Sequence, residues 1–314
     1  MDRRDFLRAA GAGIVGAALE RRTVHAQAPE PIIDIHQHVG YTGRADDALI
    51  AHQRAMGATM TVLLPAGRPI ASPSTHDGVA NGLQAQCLGN EACYQLARAH
   101  TDAYTFAANE VPDLPDATAV IGGYLRRGAV MIAEQKFGVE CDSPEMERIY
   151  RLAEEHHVPV LMHWQFQMYN YGFERFHRVL EKYPRVAFIG HAQTWWGHID
   201  RNHTDQTVMY PKGPVARGGL TDRYLADYPN MYGDLSAGSG LNALTRDEAF
   251  TREFLVRHQD KLLFGSDCTD VAGTGSGCLG AQIIGAVRRL AADKRIERKL
   301  LYGNAKRVLR ITSA

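Results

Sequence analysis

Two histidines one residue apart, His36 and His38, close a short apolar run, Ile32-Ile33-Asp34-Ile35. Side chains at i and i+2 of a strand share a face, so both imidazoles can reach one ion. Imidazole nitrogen is a standard ligand for zinc and its neighbours. Three further residues end apolar runs in the same manner. Val160-Leu161-Met162 leads to His163, Ala187-Phe188-Ile189-Gly190 leads to His191, and Leu263-Phe264-Gly265-Ser266 leads to Asp267. Five imidazole or carboxylate groups on four strand ends are a costly set of buried polar groups unless they share a partner. A divalent metal ion is such a partner, and water activation is the chemistry it supplies.

The elements that must position these groups alternate along the chain. Strands are expected at 32–38, 60–65, 104–110, 129–137, 159–164, 186–191, 231–235 and 262–267. Helical periodicity is expected at 145–157, 173–182, 220–226, 246–258 and 280–292, with apolar residues at three-to-four spacing. Eight strands alternating with helices make an α/β chain, a (β/α)8 TIM barrel, whose active site forms at the C-terminal ends of the strands. Two connections exceed the usual few residues, 67–89 after strand 2 and 193–219 after strand 6, and both fall on that face. Loops there serve as lids or pocket walls.

The order His-x-His, His, His, Asp on strands 1, 5, 6 and 8 resembles the amidohydrolase superfamily. It is nearest to the amidohydrolase-related branch of metal-dependent hydrolases and the aminocarboxymuconate-semialdehyde decarboxylase type. Asp34-Ile35-His36-Gln37-His38, Pro159 to His163, Gly190-His191, Phe264-Gly265-Ser266-Asp267 and the closing segment Gly303-Asn304-Ala305-Lys306-Arg307-Val308-Leu309 carry the likeness. The resemblance implies that His36, His38 and His163 bind the metal and that Asp267 binds it or takes a proton from water. His191 would be a ligand of a second metal, or an acid/base and oxyanion partner in a one-metal site. Zn2+ suits three imidazoles and a carboxylate best, with Mn2+, Co2+ and Fe2+ as alternatives. Two-metal members bridge their ions with a strand 4 carboxylate or carboxylated lysine, and Glu134 and Lys136 share a face of strand 4. We expect a one-metal site, with Glu134 as the bridge if two ions are held. Lys136 would otherwise pair with Glu134 or bind a substrate carboxylate. The expected activity is hydrolysis of a lactone, amide or ester of a small molecule. Decarboxylation of an unsaturated or aromatic acid is the alternative, and a catalytically silent barrel is a third reading.

Weaker signals surround this set. Trp195 and Trp196 after strand 6, with Gln165, Gln167, Tyr169 and Tyr171 after strand 5, suit an aromatic substrate pocket or the packing of a loop base. Arg68 and Arg217 read as surface residues. Gly273 to Gly277 reads as a flexible loop rather than a phosphate cradle, because no Lys-Ser/Thr follows. Cys87 with Cys93, and Cys268 with Cys278, are the local cysteine pairs, and no Cys-x-x-Cys points to a zinc finger.

Composition bounds the rest. The chain has 314 residues, 45% of them apolar, with a formal net charge of zero, which gives no electrostatic basis for nucleic-acid binding. No uncharged run reaches the ~20 apolar residues of a membrane span. Residues 1–26 pair Arg3-Arg4 with Phe6-Leu7, an Ala/Gly-rich stretch and small residues near Ala26. They resemble a twin-arginine export signal. This implies contact with export machinery, a periplasmic location and a single barrel domain at 27–314. Cleavage after Ala26 would leave 30 basic and 32 acidic residues, a net charge of −2. A homodimer is a further expectation for a barrel enzyme of this kind.

Overall fold

A computed structural model describes residues 30–68 and 87–312. The export-signal segment, 69–86 of the long connection after strand 2, and the last two residues lie outside the described residues.

Among the described residues the eight expected strands are all found. They are β1 Ile33–Gln37, β2 Met60–Leu63, β3 Tyr104–Phe106, β4 Ile132–Gln135, β5 Val160–His163, β6 Phe188–His191, β7 Met231–Asp234 and β8 Leu262–Leu263. They pair in parallel and in chain order, β1 to β3 in one ladder and β4 to β8 in the other. Hydrogen bonds span both seams. Ala108 N donates to Met131 O and Ala133 N to Ala108 O between β3 and β4, while Ile35 N donates to Phe264 O and Asp267 N to His36 O between β8 and β1. The strand expected at 262–267 therefore continues past Leu263 as single bonds to β1, which sets Asp267 beside His36.

Helices follow the strands, including Asp46–Met56 after β1, Pro144–His156 after β4, His177–Lys182 after β5, Leu220–Asp227 before β7, Glu248–Arg257 before β8 and Leu279–Leu290 after it. Ser143 caps the second of these through Met146 N, with Pro144 in its first turn. The connection after β6 departs from the expectation, because Ala192–Gly197 is helical from the last strand residue onward.

Two apolar layers hold the barrel. The larger lies between strands and helices and includes Trp164, Phe176, Phe188 and Trp195. The smaller fills the interior with Ile33, Ile35, Met60, Val62, Met131, Ala133, Leu161, Ile189 and Leu263, joined by Ala305 and Leu309 of the C-terminal segment. In β5 and β6, plain alternation carries the interior face from Leu161 to His163 and from Ile189 to His191. Two strands break this period. Ladder register shifts between Asp34 and Gln37 in β1 and between Ile132 and Gln135 in β4. A one-residue irregularity moves the following side chains to the other face. His36 and His38 thus join the interior set by Ile33 and Ile35, and Glu134 joins that of Met131 and Ala133.

Candidate metal centre

The strand ends bring His36, His38, Glu134, His191 and Asp267 into one buried cluster. His36 Nε2 lies 3.2 Å from His38 Nε2, and Glu134 Oε2 lies 3.4 and 3.6 Å from these two atoms. Asp267 Oδ1 lies 3.8 Å from His36 Nε2 and 3.6 Å from His38 Nε2. Nitrogen and oxygen ligands ~2.0–2.2 Å from a tetrahedral ion are ~3.3–3.5 Å apart. The two imidazole nitrogens are spaced close to that from one another and from each carboxylate. Asp267 Oδ1 is also buried without accepting a hydrogen bond, an orphan acceptor aimed at the cluster.

The far nitrogens of the histidines show which lone pairs are presented. His36 Nδ1 is 2.7 Å from Asp234 Oδ2, and His38 Nδ1 is 2.8 Å from Leu64 O. Donation to these acceptors puts the proton on Nδ1 and leaves Nε2 free to ligate. His191 Nδ1 is fixed likewise by Ser236 Oγ at 3.1 Å and Asp234 Oδ2 at 3.2 Å, so its Nε2 faces Glu134 Oε1 at 3.7 Å and Asp267 Oδ2 at 3.9 Å. Behind β1, Asp34 accepts from His36 N, Ser266 N, Ser266 Oγ and Gln53 Nε2, which locks the backbone of β1 to that of the β8 end.

Charge in the cluster calls for a cation. Burial pushes the His36 imidazole down, but the carboxylates of Asp267, Glu134 and Asp234 outweigh it and hold His36 well above its ordinary value. Burial, and then the charge of His36, pushes His38 down to about 4. Burial and Lys136 push His163 down to about 4. Glu134, although buried, is held well below the usual carboxylate range by His163 and His36. Asp234 is also held low, by the charge of His36 and hydrogen bonds from His191 and His36 that outweigh its burial. The carboxylates of Glu134, Asp234 and Asp267 thus surround a single charged imidazole, His36, and the excess negative charge is what a bound cation would neutralise.

Not every expected residue faces that point. His163 Nδ1 hydrogen-bonds Glu134 Oε1 and its Nε2 lies 3.1 Å from Gln165 Oε1, so this imidazole sits on the far side of Glu134 from His36 and His38. Glu134, expected only as a bridge, stands among the donors. Glu134 pairs with the histidines rather than with Lys136, whose Nζ lies over the Tyr169 ring at 5.6 Å from its centroid. Tyr169 in turn packs edge-on against His163.

Trp195 and Trp196 do not line a substrate pocket. They are 0% and 3% exposed and belong to the core. A Cβ at Gly190 would stand 2.4 Å from Trp195, so the glycine lets that ring lie against β6. Trp196 Nε1 donates to Asp234 O, which holds the strand end from behind. A later part of the same connection reaches the mouth instead. Met209 Sδ is 3.6 Å from Gln165 Nε2, Tyr210 OH is 3.2 Å from Gln193 Nε2, and both side chains are largely exposed. A cleft opens beside them, lined by Gln165, Gln167, Tyr171, Thr194 and Gln206.

Sequence reasoning missed Asp234, Ser236 and Tyr41. Asp234 ends β7 as the other ligand candidates end their strands, and that position was its signal. Ser236 Oγ donates to Asp234 Oδ2, and Tyr41 packs edge-on against His38. All five cysteines are free, with Cys268 Sγ and Cys278 Sγ 3.6 Å apart, beyond the ~2.0 Å of a disulfide. Arg68 pairs with Glu110 and Asp116, and Arg217 with Glu253, in keeping with surface roles.

Comparison with known proteins adds to this geometry. A family model described as amidohydrolase matches residues 33–311. No curated protein sequence matches the chain. Among solved structures, a probable 2-pyrone-4,6-dicarboxylic acid hydrolase from Acinetobacter baumannii is 13% identical with a TM-score of 0.55, covering 89% of this chain and 99% of its own. The 5-carboxyvanillate decarboxylase from Sphingomonas paucimobilis is 15% identical with a TM-score of 0.53, covering 87% and 85%. A 5-carboxyvanillate decarboxylase from Novosphingobium aromaticivorans, solved with manganese bound, is 12% identical with a TM-score of 0.51, covering 84% and 80%.

Proposed function

The chain belongs to the amidohydrolase family, and from that premise we propose that it is a metal-dependent hydrolase of a carbonyl bond, a lactone, ester or amide, in a small carboxylated molecule. The observation that carries this reading is the buried Asp267 oxygen without a hydrogen bond, set at ligand spacing from two imidazoles that Glu134 also approaches. His36, His38, Glu134 and Asp267 would hold the ion. Glu134 Oε1, facing His163 and His191, supplies donors for a second one. When bound, the ion supplies Lewis-acid polarisation of water and of the scissile carbonyl. Zn2+ suits the donors, and Mn2+, Co2+ and Fe2+ are the alternatives.

The chain's own residues supply the rest. Asp267 takes the proton from the attacking water as general base. His191, fixed through Nδ1 by Asp234 and Ser236, presents Nε2 to carry a proton to the leaving group. Lys136, held over Tyr169 beside His163, is placed to meet a substrate carboxylate, and Met209 and Tyr210 offer an apolar wall. The test is a screen of carboxylated lactones, esters and amides, and of aromatic acids, with metal-loaded protein and product masses. A product equal to substrate plus water supports hydrolysis. Release of carbon dioxide replaces this reading with decarboxylation on the same residues. The export reading is tested separately, by whether the chain recovered from a periplasmic fraction starts at Gln27.

A further inference from the structure

On the other side of the β8 end, we infer that His52, Cys268, Asp270 and Cys278 form a second metal site, a closed tetrahedron for Zn2+ that fastens the loop after β8 onto helix Asp46–Met56. The site is separate from the donor cluster at the mouth, and it stands or falls independently of the hydrolytic reading. Its four ligand atoms lie within 4.8 Å of one another. A zinc tetrahedron with Zn–S ~2.3 Å and Zn–N ~2.0 Å sets two sulfurs ~3.8 Å apart, and sulfur and imidazole nitrogen ~3.5 Å apart. Cys268 Sγ and Cys278 Sγ are 3.6 Å apart, and Cys278 Sγ and His52 Nε2 are 3.5 Å apart. Asp270 Oδ1 lies 2.9 Å from His52 Nε2, a hydrogen bond that ligation would replace.

Backbone N–H groups approach both sulfurs from one helix start. Gly280 N donates to Cys268 Sγ at 2.9 Å, and Ala281 N donates to Cys278 Sγ at 3.3 Å, both from the first turn of helix Leu279–Leu290. Backbone N–H groups at a helix start favour sulfur in its anionic form. Asp270 is preset by its second oxygen, which accepts from Ala272 N and Gly273 N. A Cβ at Gly273 (φ +68°) would stand 2.2 Å from His52 O, so this glycine lets the loop close on the helix that carries His52. The two cysteines and His52 are almost wholly buried and Asp270 is part-exposed, and the four ligands together fill a tetrahedral coordination shell. Binding would displace both thiol protons and oxidise nothing. Two thiolates, an imidazole and a carboxylate in this arrangement select Zn2+ over harder ions.

Cobalt loading of the full chain tests this site, because Co2+ bound by thiolate shows a sulfur-to-metal charge-transfer band that nitrogen and oxygen ligands do not. The expected result is that band in the wild-type protein and in His36→Ala, and its loss in Cys278→Ser. Zinc loading should also shield Cys268 and Cys278 from a thiol reagent until a chelator is added, a reading that needs no variant to fold. Cobalt-loaded wild type without the band would overturn the proposal. So would a native chain whose mass and peptide map show Cys268 joined to Cys278 as a disulfide.

Discussion

Asp267 and Cys268 are neighbours in sequence, yet they serve two different coordination chemistries. Asp267, its side chain 13% exposed, faces the mouth, where imidazoles and carboxylates on strand ends converge. Cys268 faces helix Asp46–Met56, where two buried sulfurs, a buried imidazole and a part-exposed carboxylate close around one point. The left-handed backbone of Asp267 (φ 47°) turns the chain between them. The contrast is one of donor type and access. An ion held by nitrogen and oxygen with room for substrate can act on it, whereas an ion closed in by thiolates can only hold the fold together. The thiolate site would then set the loop whose first residue is the proposed catalytic carboxylate.

The sharpest way to break the contrast is to change one side at a time. Asp267→Asn should lower kcat/KM by ~10²–10⁴, the range of a lost general base, and leave the cobalt–thiolate band unchanged. On the other side, zinc at a hundredfold excess over Kd should stabilise the fold by ~2.7 kcal/mol, read as a rise in Tm. Cys278→Ser should lose that rise while the mouth still takes up its ion. Next in size is Asp234→Asn, which removes the shared acceptor of His36 and His191 and should cost ~10–100-fold in metal affinity or turnover. If it left both unchanged, the histidines would be oriented by something other than this carboxylate.

The smallest effect belongs to neither centre and serves as the control. Asp222 pairs with His258 and Arg257 on the outer helices. Burial pushes its carboxyl up, but the His258 hydrogen bond and its neighbours outweigh this and bring it from 3.8 to about 2. A depressed carboxyl stabilises the fold at pH above its unfolded value, here by about 2 kcal/mol. That contribution is complete above pH 3.8 and disappears as pH falls through about 2. Asp222→Asn should lower Tm at neutral pH, narrow its gap from wild type in acid, and leave turnover per bound metal unchanged.

The sequence made some of this legible and hid the rest for identifiable reasons. Apolar runs ending in His36, His163, His191 and Asp267 show the barrel and its rim, because strand burial and strand-end chemistry both leave marks in residue type. The register shifts in β1 and β4 leave none, so the interior position of Glu134 beside His36 had to come from pairing. Asp234 falls inside the strand expected at 231–235 and is followed by the apolar Leu235, so no polar strand end stood out there. Trp195 and Trp196 read alike as pocket wall or core, and the space left by Gly190 decides for the core. The thiolate site was hidden by distance, since His52 lies 226 residues from Cys278.

The central claim is that an ion is held at the strand ends by His36, His38, Glu134 and Asp267. Anomalous diffraction from zinc-loaded crystals of the full chain tests it most directly. The account predicts a peak ~2.0–2.2 Å from His36 Nε2, His38 Nε2 and the nearest oxygens of Glu134 and Asp267. A map with no peak among these four residues, from crystals whose dissolved protein turns over substrate, would contradict it.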